Sequence, residues 1–217
     1  MTINVPTSWE AITLRKYQAI TELFKEAEKK GEGLKDKAKE LHDYHTECAL
    51  ISTLTDVGMD DVLALHRGAH NRIMNELGFL HSPITGKVKT LIRVNKRWYH
   101  FEKSARKITG GQWITIMHFL EDDEQIDANM HNLLACFASR YKWFRPKYNG
   151  DIHNEVAEDL LDLPITAVKP LTDFFLKDWL QSVKNTAVYL ETKGKMLKRQ
   201  AERQLARSKV DTDGYTQ

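Results

Sequence analysis

Two segments far apart in the chain open a helix in the same way, and this repeated opening constrains the fold more than any other feature. "ITLRKYQAITELF" covers residues 12–24 and "ITGGQWITIMHFL" covers residues 108–120. Each begins Ile-Thr, carries an aromatic residue four positions after the Thr (Tyr17, Trp113), and continues with apolar residues at helical spacing. A Thr at such a boundary accepts a hydrogen bond from an unpaired first-turn amide, so Thr13 and Thr109 are predicted N-caps. The stripes behind them are Tyr17, Ile20, Leu23 and Phe24, and Trp113, Ile116, Phe119 and Leu120. Each stripe gives one apolar helix face to bury. Gly110 and Gly111 weaken the second helix, which must therefore lean on tertiary packing.

The segments after each opening also come in similar order. A charged link leads to an apolar helix and then to a short acidic-apolar helix, "MDDVLAL" in the first half and "AEDLLDL" in the second. This order suggests an internal duplication; chance similarity between short amphipathic helices is the competing account. A duplication requires the helices of the two halves to correspond pairwise.

Between the halves the apolar period changes from helical to alternating. Val88, Thr90, Ile92 and Val94 alternate with Lys89, Leu91 and Arg93, and after the polar pair Asn95-Lys96 come Trp98, Tyr99 and Phe101. This predicts a β-hairpin. A lone two-stranded hairpin is marginal in water, so it must pack on helices or pair with a further strand. "HNLLACFASRYKWF" reads as one helix, Asn149-Gly150 as a turn, Pro164 as the stop of a short helix, and the stretch after Pro170 as a longer apolar helix. The predicted class is mainly α with a small β-hairpin. It comprises a helical half over 1–82, the hairpin plus a second helical half over 83–190, and a C-terminal helical arm over 191–217.

A chain of 217 residues is long enough to bury a real core. A net charge of +2 rules out a uniformly basic nucleic-acid binder but leaves room for a local basic patch. No run approaches the ~18 apolar residues of a spanning helix. "MTINVPTSWE" lacks the basic and apolar regions of a secretory signal, so a soluble protein, intracellular at synthesis, is expected. Cys48 in "ECALI" and Cys136 in "LLACF" read as small buried hydrophobes rather than as a disulfide.

Groups able to carry chemistry are sparse. His42 and His45 stand near Asp43 and Glu47, and His66 and His70 are four apart, but zinc requires three or four converging ligands. The acidic run "EDDEQID" over 121–127 lacks the Gly and the ligand spacing of a cation loop and reads as a solvated link. Phosphate-cradling, dinucleotide-binding and nucleophile-elbow motifs are missing from the sequence. No catalytic, cofactor-binding or metal-ligating residue is therefore predicted. "NKRWYHFEK" would suit nucleic acid, with bases stacked on Trp98 or Tyr99 and phosphate on Lys96 or Arg97. It better suits a strand whose aromatics bury one face, and "RYKWFRPK" over 140–147 has the same two readings.

The C-terminal segment 191–209 carries seven Lys or Arg against two Glu, with only a narrow apolar stripe. Such a helix suits an exposed arm that orders on an acidic protein or on nucleic acid, and equally a merely solvated tail. The candidate partner-binding residues are Lys193, Lys195, Lys198, Arg199, Arg203 and Arg207 on this arm. Trp98, Trp143 and Trp179 are candidate aromatic anchors, Trp being enriched in binding hot spots.

Four segments, "VPTSWEAITLRKYQAI", "KITGGQWITIMHFLED", "HNLLACFA" and "EVAEDLLDLPITAVKPLTDFF", give the chain a family style across most of residues 3–176. In these it resembles small proteins from the structural gene modules of tailed bacteriophages, crAss-like phages among them. The resemblance implies a tail or baseplate assembly factor, a tail-chaperone-like protein, or a minor virion or head–tail connector component. It implies no catalytic residues and no cofactor. Its partners would be other phage structural proteins in an oligomeric assembly, in the host cytoplasm or the virion, with no membrane involved. The alternative is a nucleic-acid-binding module acting in genome packaging or ejection through the basic arm.

Overall fold

The computed structural model describes residues 3–102, 104, 107–120, 125–140, 148–185, 191, 193 and 195. Its helices are α1 (Leu14–Gly31), α2 (Asp36–Thr55), α3 (Met59–Leu63), α4 (Arg67–Glu76), α5 (Gly110–Phe119), α6 (Met130–Phe137) and α7 (His153–Leu160). A further helix, α8, covers 165–185. The strands are β1 (Leu91–Val94), β2 (Arg97–Phe101) and β3 (Ala138–Arg140). The mainly α class with a small hairpin is thus the observed one.

Both helix openings are real and nearly superimposable in backbone angles. Thr13 has φ −75° and ψ 160°, and Thr109 has φ −77° and ψ 162°. Each hydroxyl accepts the amide three residues on, from Lys16 or Gln112, and at Thr109 the Gln112 side chain closes a reciprocal capping box. Thr13→Ala and Thr109→Ala are each expected to cost about 1 kcal/mol in urea unfolding, the usual worth of an N-cap.

The first opening is also docked. The amides of Leu14 and Arg15 donate to the carbonyls of Leu163 at 2.8 Å and Leu161 at 3.0 Å, and the amide of Ile165 donates to the Ile12 carbonyl at 2.8 Å. Thr13 and Pro164 form an antiparallel bridge between these partners. First-turn donors that a helix cannot satisfy internally are thereby satisfied by the link between α7 and α8. Ile12, Leu14, Leu160, Ile165 and Val168 are buried around this junction.

The remaining helices follow in the same order, and the links α3–α4 and α7–α8 share local hydrogen bonds. In the α3–α4 link the Leu65 amide donates to the Val62 carbonyl at 3.1 Å, and in the α7–α8 link Leu163 donates to Leu160 at 3.1 Å. The His66 carbonyl then accepts from Ala69 and His70 as that of Pro164 accepts from Ala167 and Val168. Val62, His70 and Ile73 are buried where Leu160, Val168 and Leu171 are. Lengths differ: α1 has 18 residues and α5 has 10.

Two expectations need correction. The helix from Met130 ends at Phe137, and Ala138–Arg140 pairs with β2 instead, giving an antiparallel sheet in the order β1-β2-β3. The sheet supplies what the helix reading left out: edge groups of β2 that need a partner, as Phe101 paired with Ala138 shows. Second, α8 begins at 165 and runs through Pro170. The proline leaves the Thr166 carbonyl without its helical donor, and Gly86 packs directly against that oxygen. The chain forms two compact units, Met1–Phe174 and Phe175–Gln217, so the first helical half and residues 83–174 of the second share one unit, and 175–190 belong to the other. The boundary between these units lies before residue 191.

Asn95 and Lys96 turn the hairpin with φ of 48° and 63°. Two left-handed residues match the twist of the flanking strands, and Asn tolerates that region well. Ile92, Val94, Tyr99 and Phe101 face the core, while Leu91, Arg93 and Trp98 face outward.

Candidate protein-docking groove

Phe24 belongs to the apolar stripe of α1, yet it is 46% exposed. The cause lies in its neighbour. The first half of α2 reads "DKAKELHDYHT", and what it offers the end of α1 is polar, with His42 Nε2 donating to the Ala27 carbonyl at 2.8 Å. Apolar cover arrives only further along α2, at the buried Cys48, Leu50, Ile51 and Leu54. Phe24 is left standing between helices.

Two of the hollows that Phe24 lines have mainly apolar floors. One, of about 460 Å³, is lined by Trp9, Tyr17, Ile20, Phe24, Leu80 and Ile84 among others. The other, of about 280 Å³, is lined by Phe24, Leu50, Met74, Leu77 and Leu80. Phe24 and Leu80 form the ridge between them. Trp9 holds the far wall in place: its indole Nε1 donates to the Ser82 carbonyl at 3.0 Å, and its ring meets Phe79 edge-on at 5.4 Å. Lys25 and Glu28 edge the first hollow, Glu47 and His81 the second. An apolar floor with a charged rim of both signs is the complement of an amphipathic helix.

The sequence-predicted anchors fare differently. Trp98 is 46% exposed on the outer face of the sheet, with the Arg93 guanidinium 6.0 Å from its ring centroid. Trp179 is buried and offers no surface to a partner, which corrects its reading as an anchor. Trp143 lies outside the described residues, as do Lys198, Arg199, Arg203 and Arg207. Lys193 and Lys195 are exposed and helical, and Lys195 Nζ is 2.6 Å from Glu191 Oε1, one turn away. Of the hairpin aromatics, Tyr99 and Phe101 are core residues, leaving Trp98 alone available for stacking.

Sequence reasoning also missed a buried polar network. Asp159 of α7 is buried, and it accepts from the Tyr99 hydroxyl, from Asn95 Nδ2 at 3.0 Å and from Arg97 Nη1 at 2.8 Å. Glu155, one turn earlier, pairs with Arg97 at 2.9 Å and with Arg140 of β3. Burial pulls the Asp159 pKa up, but the three donors outweigh it and hold the carboxyl below its ordinary value. The signal was present as carboxylates spaced one turn apart on α7, but their partners lie far away in sequence. The network fastens the sheet to α7.

Other reactive groups are held inert. Burial pushes the Cys136 thiol up to about 12 and raises that of Cys48 as well. Neither is a thiolate at neutral pH. Burial lowers the pKa of His131 and of His153. A third hollow of about 450 Å³ includes His100, Lys107, Gln112, Ser139 and Tyr148. There the Ser139 hydroxyl donates to the backbone carbonyl of His100, not to its ring. Among the described residues, no group of three or more His, Cys, Asp or Glu is placed to hold a metal ion, and no helix is long and apolar enough to cross a membrane.

The chain matches no protein-family model, no curated protein and no solved structure.

Proposed function

We propose that the chain is a non-enzymatic assembly protein that binds other proteins, and that those partners are structural proteins of a tailed phage, in its tail, baseplate or head–tail connector region. The observation carrying the first part is the half-exposed Phe24, set with Leu80 between two apolar hollows under a charged rim. A large apolar side chain held in the open at the centre of a groove is the form of an interaction hot spot. The resemblance to phage structural proteins supports the identity of the partners.

Co-expression with portal, tail-tube and tape-measure proteins tests this reading. One of them is expected to co-purify with the wild-type chain. Phe24→Asp is expected to weaken that complex by about thirtyfold, the loss of one hot-spot residue, while leaving the circular dichroism spectrum unchanged. Co-purification unaffected by Phe24→Asp would move the interface elsewhere. Salt-sensitive binding to DNA with no protein partner would favour the packaging or ejection alternative.

A further inference from the structure

We propose that the chain also associates head to tail with copies of itself, the α5 opening of one copy docking on the α3–α4 link of the next. The junction between the α1 opening and the α7–α8 link, seen within the chain, is its template.

Both halves of a second such junction are present and unjoined. The Thr109 cap reproduces the Thr13 cap, but the amides of Gly110 and Gly111, which stand where Leu14 and Arg15 do, meet no acceptor among the described residues. The space over Gly110 is open. On the other side, the α3–α4 link repeats the turn of the α7–α8 link. The carbonyls of Leu63 and Leu65 correspond to those of Leu161 and Leu163, yet they accept none of the loop and inter-element bonds of the described residues. Leu161 is buried under the docked α1, whereas Leu63 is 39% exposed. The bridge between Thr13 and Pro164 has no counterpart between Thr109 and His66 in the same chain.

The side chains that would meet are complementary in kind. In α1, Gln18 reaches the carbonyls of Asp127 and Ala128 and the ring of His131 at the start of α6. The α5 residue in that place is Ile114, 70% exposed, and one turn on is Met117, also exposed. Aligning "HTECALI" of α2 with "HNLLACF" of α6 matches three buried positions in each helix and puts Leu41, 59% exposed, where Asp127 stands. A polar contact inside the chain is thus replaced by apolar groups that face water in one copy and would cover each other between two. A helix with apolar residues on every side calls for such cover. The two surfaces differ, so the contact is heterologous and propagates into a ring or a filament. It uses neither Phe24 nor Leu80 and stands or falls apart from the groove.

Sedimentation velocity over a concentration series tests the contact with Ile114→Asp and Leu63→Asp. The wild type is expected to grow beyond a dimer. Each variant alone should associate about thirtyfold more weakly, as loss of a hot-spot side chain does. An equimolar mixture of the two should give a dimer and nothing larger, because one intact surface of each kind survives. A wild type that stays monomeric, or a mixture that stays monomeric, overturns the proposal. If either variant loses its circular dichroism spectrum, His66→Cys and Thr109→Cys chains mixed under oxidising conditions decide the matter. Bridge partners lie about 4.5–5.5 Å apart at Cα, within disulfide reach. The native Cys48 and Cys136 are buried and do not compete. A mixed disulfide dimer supports the contact, and its failure to form refutes it.

Discussion

Asp159→Ala is expected to destabilise the protein by about 3 kcal/mol, the scale of breaking a buried ion pair by removing one partner. Three donors lose this acceptor at once: the Tyr99 hydroxyl, which is buried, the Asn95 amide, which keeps Asp162 at 3.0 Å, and the Arg97 guanidinium. Arg97 keeps Glu155 at 2.9 Å and stays partly solvated, so the larger share falls on Tyr99, whose hydroxyl has no water to turn to. Tyr99→Phe removes only one donor and should cost about 1 kcal/mol. Equilibrium urea unfolding separates the two. The same carboxylate sets a pH dependence. Its folded pKa lies below the ordinary value near 4, so the unfolded chain takes up the proton first. Its contribution is complete above about pH 4 and is lost as pH falls through the folded pKa. Asp159→Asn cannot ionise, and it should flatten that part of the stability profile while keeping the side chain's volume. An unaltered profile would remove Asp159 from the network's acid sensitivity.

Gly86→Ala is expected to cost about 2 kcal/mol, although Gly86 is exposed and lies in a loop. Pro170 has no N–H, and the Thr166 carbonyl it leaves without a donor lies against the Gly86 backbone. A methyl group on Gly86 would overlap that oxygen and come within 3.1 Å of the Pro170 ring. Neither neighbour can rotate aside, so the loop from Ser82 to β1 has to shift, with the cost of an overpacked site. Pro170→Ala supplies the missing donor and removes the ring. The double variant should therefore lose less than the two single losses added, because the sites share one contact. Strict additivity in denaturant unfolding would show that the proline and the glycine do not cooperate.

What could be read in advance was what depends on neighbours in sequence. Both Thr caps act within one turn, and the Asn95-Lys96 turn is fixed by its own two residues, so each was legible. The end of α6 was not, because Ala138–Arg140 turns to strand only when β2 is alongside, with the Glu102 amide donating to the Phe137 carbonyl at 3.0 Å. Pro170 looks like a helix boundary, since nothing local discloses that Gly86 will lie against the carbonyl it leaves behind. Phe24 sits in the stripe at core spacing; its exposure follows from the polar face that α2 brings to it. Asp159 is one acidic residue among several on α7 until Tyr99, Asn95 and Arg97 arrive from the hairpin. The docking groove was the least legible feature, because it is built from what neighbouring elements fail to cover.

The clasp between the α1 opening and residues 161–165 ties the order of folding to the order of synthesis. The donors of α1 leave the ribosome first, and their acceptors emerge only after most of the chain has been made. At about 5–20 residues per second, that gap lasts roughly 7–30 s. Throughout it, the amides of Leu14 and Arg15 lack these acceptors, and the nascent chain carries α1 with its opening unlatched. The opening of α1 is secured only once residues 161–165 arrive.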